Sequence, residues 1–256
     1  MKARWLTCLS LAACLAAPGA RAVELRMLSA GAVELGLTPA LAMFQRDSGN
    51  TVWVSFAAAP ALAAQFTAAP GYDIVIAPPS VLEALARAGA VGSERVTIGK
   101  VGIGVAMRPT ATAPDITSIE TLKPALLSAE SVVFNRASTG LYIDALLQKL
   151  GVADAVNAKA TRYADGASVM RHLLAGTKQH EFGFGATTEI VLFKDQGLKL
   201  VGPLPAAVQN YTTYVTALPA GAVDKARAGA ATALMRHLAS SRARDAFANA
   251  GIEPAP

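Results

Sequence analysis

The chain has 256 residues, of which 53% are hydrophobic and only 16% charged, with 23 basic against 18 acidic residues and two cysteines. That length and apolar content suffice for one large domain or for two lobes with cores of their own. A near-balanced charge, with no basic run interleaved with aromatics, gives no footing for nucleic-acid binding.

The chain opens on Lys2 and Arg4, an apolar run from Trp5 to Ala17, and the small-x-small site Ala20-Arg21-Ala22, the pattern of a secretory signal over residues 1–22. Its removal takes away both Cys8 and Cys14, so the product carries no disulfide and no thiolate metal site. It leaves 20 basic and 18 acidic residues. Leu11-Ala12-Ala13-Cys14 also resembles a lipobox, which would anchor the protein at Cys14. The apolar residues after Cys14 favour cleavage and a soluble periplasmic product instead. Leu25 to Leu28 then reads as a strand and Ser29-Ala30-Gly31-Ala32 as a small-residue turn. Thr38-Pro39 either starts the following helix or bends one begun near Val33.

Strands at Thr51 to Phe56 and Ile74 to Ala77 alternate with helices from Ala57 and from Ser80, which predicts a parallel sheet. The glycine-rich extended run Ile98 to Met107, followed by Pro109 and Pro114, breaks the alternation and marks a crossing into a second lobe. That lobe begins with a helix near Ile119 to Leu127. Val132 to Phe134 then reads as a buried strand running into Ala137-Ser138-Thr139-Gly140, with Ile143, Leu146, Leu147 and Leu150 behind it at helical spacing. Small hydroxylated residues at a helix start let an anion approach unpaired backbone N–H groups. One ordinary cap would account for a single such stretch, but the chain carries two, one in each half, and two facing cradles suggest a cleft. Further elements are expected at Lys159 to Tyr163, Ala167 to Ala175, Glu181 to Ala186 and Leu198 to Val201. Tyr211 to Leu218 serves as the return crossing, and the end is helical from Val223 to Ala250. The organisation is therefore a signal over 1–22, a first lobe over 23–105, a second over 106–213, and a return to the first over 214–256.

Catalytic signatures are missing. His172, His180 and His237 are scattered and expected at the surface, there is no G-x-S-x-G elbow, and no metal cluster can be drawn. Neither a cofactor nor a protein-ligated metal is expected, and the chain reads as a binding protein rather than an enzyme.

The stretches LRMLSAGAV, VWVSFAAAPALAAQF, YDIVIAPPSVLEALARAG, STGLYIDALLQKLGV and LASSRARDAFANAGIEP, in this order, resemble the periplasmic molybdate-binding proteins of ABC importers, as a divergent branch. The resemblance spans residues 24 to 254. It implies an α/β, two-lobe type II periplasmic-binding-protein fold, each lobe a mainly parallel sheet flanked by helices, joined by two crossing strands. It further implies a monomer that captures a small oxyanion and docks transiently on a membrane ABC permease. A membrane sensor as partner, an organic acid as ligand, or an exported enzyme using the same cleft are the alternatives. The family's first-lobe ligand serines fall at Ala32 and at Ala58 or Ala59, so those hydroxyls are lost, and its tyrosine near Ala186 and Thr187 is lost too. The implied ligand-binding set is Ser29, Ala30, Ala32, Ala58, Ala59, Arg136, Ser138, Thr139, Gly140, Ala167, Ala186 and Thr187. Ser168 and Thr188 are further replacement donors, and Arg136 is the cation to meet a carboxylate. Leucine at Gly140 is expected to block the site while sparing the fold.

Overall fold

The computed structural model describes residues 22–69, 71–221 and 224–255, so the lipobox and all of the signal segment but its last residue, Ala22, lie outside the described residues. The chain order is β1 (Glu24–Ala30), α1 (Glu34–Ser48), β2 (Thr51–Ala57), α2 (Ala59–Ala68), β3 (Ile74–Ala77), α3 (Pro79–Arg87) and β4 (Val96–Met107). There follow α4 (Ile119–Ser128), β5 (Ser131–Asn135), α5 (Ser138–Lys149), α6 (Ala153–Asn157), β6 (Ala160–Tyr163), α7 (Gly166–Ala175), β7 (Glu181–Ala186) and α8 (Thr187–Leu192). The chain ends with β8 (Lys199–Pro203), β9 (Tyr211–Ala217), α9 (Lys225–Leu238) and α10 (Ser241–Asn249).

The strands form one path, β2-β1-β3-β9-β4-β7-β5-β6, with β8 on the side of β4. Pairing is parallel in the two βαβ units, β2-β1-β3 and β7-β5-β6, and antiparallel wherever β4 or β9 is involved. β3 is apolar and buried at all four residues because helices cover both of its faces. β4 joins the halves: Val96 to Gly102 pairs with β9, and Ile103 to Ala106 pairs with β7. One core gathers Leu25, Leu37, Ile74, Leu234 and Phe247. A second gathers Val105, Leu122, Phe134, Ile143 and Phe184, with a smaller one around Val169 and Met170 on the opposite face. Among the described residues the halves meet along β4 and β9 and where α8 packs against α1 and the turn at Gly31–Val33, in an α/β arrangement of the kind expected.

Of the two readings of Thr38-Pro39, the helix begun near Val33 is the one found: Pro39 lies inside α1, which follows a 3-10 turn at Gly31–Val33, and the proline is tolerated on its exposed side. Local chemistry explains the departures from the sequence expectation. The C-terminal helical stretch is two helices. Ser240 breaks it by accepting the Ala243 N–H at 3.3 Å as the cap of α10. Replacing Ser240 with alanine is expected to cost about 1 kcal/mol, roughly 2 to 4 °C in Tm, readable by urea and thermal unfolding. α6 was not expected, being a single short turn. Two of the three histidines are engaged rather than simply exposed. His172 is bracketed by the Tyr163 hydroxyl at 2.8 Å and Glu181 at 3.1 Å, and the His237 Nε2 lies 2.8 Å from the Ala40 carbonyl.

Candidate functional site

Five strand-to-helix junctions converge on one cavity of about 510 Å³ between the lobes. They are the ends of β1, β2, β5, β6 and β7, each followed within three residues by a helical turn. Ligands of open α/β sheets bind at this place, because the helix starts there present unpaired N–H groups and a partial positive charge.

The first lobe contributes Ala30, Ala32, Ala58 and Ala59 to the wall, and the second contributes Arg136, Ser138, Thr139 and Ala167, with Ala186 at the end of β7. Ser29, Gly140 and Thr187 do not line it. Ser29 is the sixth residue of β1, fully buried, and its hydroxyl donates to the Ala30 carbonyl at 3.2 Å. Thr187 turns its methyl toward Gly104 of β4, as the 3.0 Å approach to a Cβ built there shows. The Thr188 hydroxyl donates to the Ala32 carbonyl, which ties α8 to the first lobe. The Ser168 hydroxyl takes a bond from Arg171 at 3.0 Å. Of the hydroxyls offered as replacement donors, only Ser138 and Thr139 are on the cavity wall.

Gly140 has a different task from the one expected. A Cβ there would lie 1.6 Å from the Asn135 carbonyl oxygen, so its missing side chain faces protein and not ligand. Asn135 organises the loop. Its side-chain oxygen accepts the N–H groups of Ala137 and Gly140, both at 3.0 Å, which leaves Ser138 and Thr139 as the helix-start donors without an intrahelical partner. No periodicity marks Asn135; an asparagine at a strand end before a small-residue loop is the only trace.

Glu189 was not anticipated either. It is the third residue of α8 and lines the cavity at its floor, where the first and second lobes touch. Part of its surface opens into the cavity, but protein encloses it on the other sides. Burial pushes its pKa up to about 7; the Ala186 backbone hydrogen bond opposes the rise, and the charges of Asp165 and Glu34 add to it. Burial also raises Glu34 at the start of α1. The Tyr214 hydroxyl, on β9 beneath the cavity, is pushed up by burial and then by the charge of Glu189, so the phenol stays protonated. Against these acids the cavity wall carries one cation among the described residues, Arg136. His, Cys, Asp and Glu form no cluster of three able to hold a metal ion among the described residues.

The family model described as bacterial extracellular solute-binding protein matches residues 25–253. The chain is 28% identical over 242 residues to a protein of a Pseudomonas species named aconitate isomerase, covering 91% of this chain and 88% of that one. In fold it is similar to the periplasmic molybdate-binding protein of Azotobacter vinelandii, with a TM-score of 0.74, 17% identity, and 91% of this chain and 100% of that chain covered. It is similar also to the sulfate-binding protein SubI of Mycobacterium tuberculosis H37Rv, with a TM-score of 0.72, 15% identity, and 91% and 87% covered.

Proposed function

We propose a function from one premise: the chain belongs to the bacterial extracellular solute-binding protein family. The protein is exported and captures a small organic polyanion, a di- or tricarboxylate, between its lobes, for delivery to a membrane permease. No helix among the described residues is long and apolar enough to cross a membrane.

The observation that carries this choice of ligand is the position of Glu189. Its carboxylate lies against Gly166 at the start of α7 and near Gly31 at the start of the first-lobe turn. The protein's own carboxylate therefore occupies the point between two helix starts where a compact tetrahedral dianion would sit, and repels it. The alanines at 30, 32, 58 and 59 offer no hydroxyl to compensate. Donors remain further out, at Ser138, Thr139 and Arg136, and these suit a ligand whose charges are spaced along a carbon frame. The relative named aconitate isomerase supports an unsaturated tricarboxylate as the ligand to try first.

Calorimetry of the secreted protein against cis- and trans-aconitate, citrate, malate, molybdate, tungstate and sulfate tests the reading. A carboxylate is expected to bind at least about tenfold more tightly than any tetrahedral oxyanion, since one lost hydrogen bond to a charged group costs roughly 1.5 to 3 kcal/mol. Arg136→Gln is expected to weaken carboxylate binding by about tenfold to a hundredfold for the same reason. Tight, selective molybdate binding without a carboxylate response would overturn the assignment.

A further inference from the structure

Repelling compact dianions is one use of a carboxylate in this cavity, but it does not require that the group be left without a partner. Glu189 nevertheless has no arginine, lysine or histidine within ion-pair distance among the described residues. Room for it is made on both sides: a Cβ on Gly166 would lie 2.1 Å from one of its oxygens, and a Cβ on Gly31 would lie 3.3 Å from the other. An acidic group enclosed by protein on most sides, open to the ligand and free of a neutralising partner, is the arrangement of a general base.

We propose that the cleft is also a catalytic site, in which Glu189 moves a proton between two carbons of a bound unsaturated polycarboxylate and so shifts its carbon–carbon double bond. The proposal rests on the polycarboxylate reading above. The Glu189 carboxylate takes a proton from the CH2 group that lies between a ligand carboxylate and the double bond. The electron pair of that C–H bond becomes the new double bond, and the pair of the old double bond takes the proton back from Glu189 at the far carbon. Glu189 ends as it began, nothing is oxidised or reduced, and no second reactant enters. In an aconitate the frame is the same read from either end, so the shift interconverts the geometric isomers.

The charge that builds up between the two transfers spreads onto the ligand carboxylates. Arg136 and the N–H groups of Ser138 and Thr139 are placed on the cavity wall to receive it, and Tyr214, its phenol protonated, lines the same cavity. The groups around Glu189 are Glu34 from α1, Asp165 ahead of α7, Tyr214 from β9 and Arg136 ahead of α5. Burial and the first two of these carboxylates hold Glu189 near neutrality, where the base form is populated and the acid form still returns a proton readily.

The test is NMR of the secreted protein in D2O with trans-aconitate, following deuterium entry at the CH2 group and appearance of the cis isomer, with calorimetry on the same samples. Exchange and interconversion are expected, with a rate that rises through about pH 7 to a plateau as Glu189 loses its proton. Glu189→Gln is expected to lower both by at least about a hundredfold while the ligand still binds, and Glu189→Asp to recover part of the rate. If the wild type binds the ligand without exchanging its protons, or Glu189→Gln exchanges as fast as wild type, the catalytic assignment fails and the receptor reading stands. If no polycarboxylate binds at all, both fall together.

Discussion

Ligand-free protein carrying Glu189→Gln is expected to be more stable than wild type at pH 8 and no more stable at pH 4. The carboxyl has an ordinary value of 4.5, and burial in the cleft raises it to about 7 in the folded protein. Between these values the folded state holds a proton that the unfolded state has released, so wild-type stability falls as pH rises from 4.5 toward 7 and is level beyond. The full gap corresponds to roughly 3 kcal/mol, and the opening of Glu189 onto the cavity lets water screen the charge, so a gain of about 1 to 3 kcal/mol is expected at pH 8. Glutamine keeps the volume and removes the titration, so its stability should lack that decline. Urea unfolding at pH 4, 6 and 8 reads the difference. Parallel profiles for the two proteins would mean that the cavity does not penalise the charge.

This penalty also says how the site came to be hidden in the sequence. Thr187-Thr188-Glu189 after a buried strand reads as an ordinary helix start with an acidic first turn, and an acidic residue there is favourable in most proteins. Only the fold brings Gly31 and Gly166 against that carboxylate, and neither glycine is near it in sequence. The elements that were legible are those whose signal is local. The apolar run Ile74 to Ala77 marks a strand covered on both faces, the spacing of Ile143, Leu146 and Leu147 marks the buried side of α5, and Ile98 to Met107 marks the crossing strand. The first-lobe alanines were named through the family resemblance and the Ser138-Thr139 pair from its helix start, and both groups line the cavity because they sit at strand ends of a parallel sheet. Ser29, Ser168, Thr187 and Thr188 were not separable from them. One residue's shift along a strand or helix start turns a hydroxyl away from the cavity, and sequence spacing does not resolve that turn.

Alanine at Gly140 is expected to be the most damaging of the small substitutions in this protein, through the fold and not through the ligand. The added methyl would lie 1.6 Å from the Asn135 carbonyl oxygen and 2.6 Å from its carbonyl carbon, both backbone atoms of a buried strand that cannot swing aside as a side chain does. To relieve the overlap α5 must move off β5. That movement breaks the Asn135 side-chain bonds to the N–H groups of Ala137 and Gly140, and it disturbs the packing of Ile143, Leu146 and Leu147. Overpacking of this kind costs 1 to 3 kcal/mol where side chains can adjust, so a loss on the order of 3 kcal/mol or more is expected here. Leucine at the same place would be worse, and its failure to bind ligand would report a lost fold. Gly229 supplies the opposite case. It lies on the exposed side of α9 with nothing within 4 Å of an added Cβ, so Gly229→Ala should stabilise by about 0.5 to 1 kcal/mol by restricting the unfolded chain and favouring the helix. Urea unfolding of the two variants side by side would show the same chemical change with opposite signs. A Gly140→Ala protein as stable as wild type would mean that α5 does not press on Asn135, and that the shape of the second-lobe wall is set elsewhere.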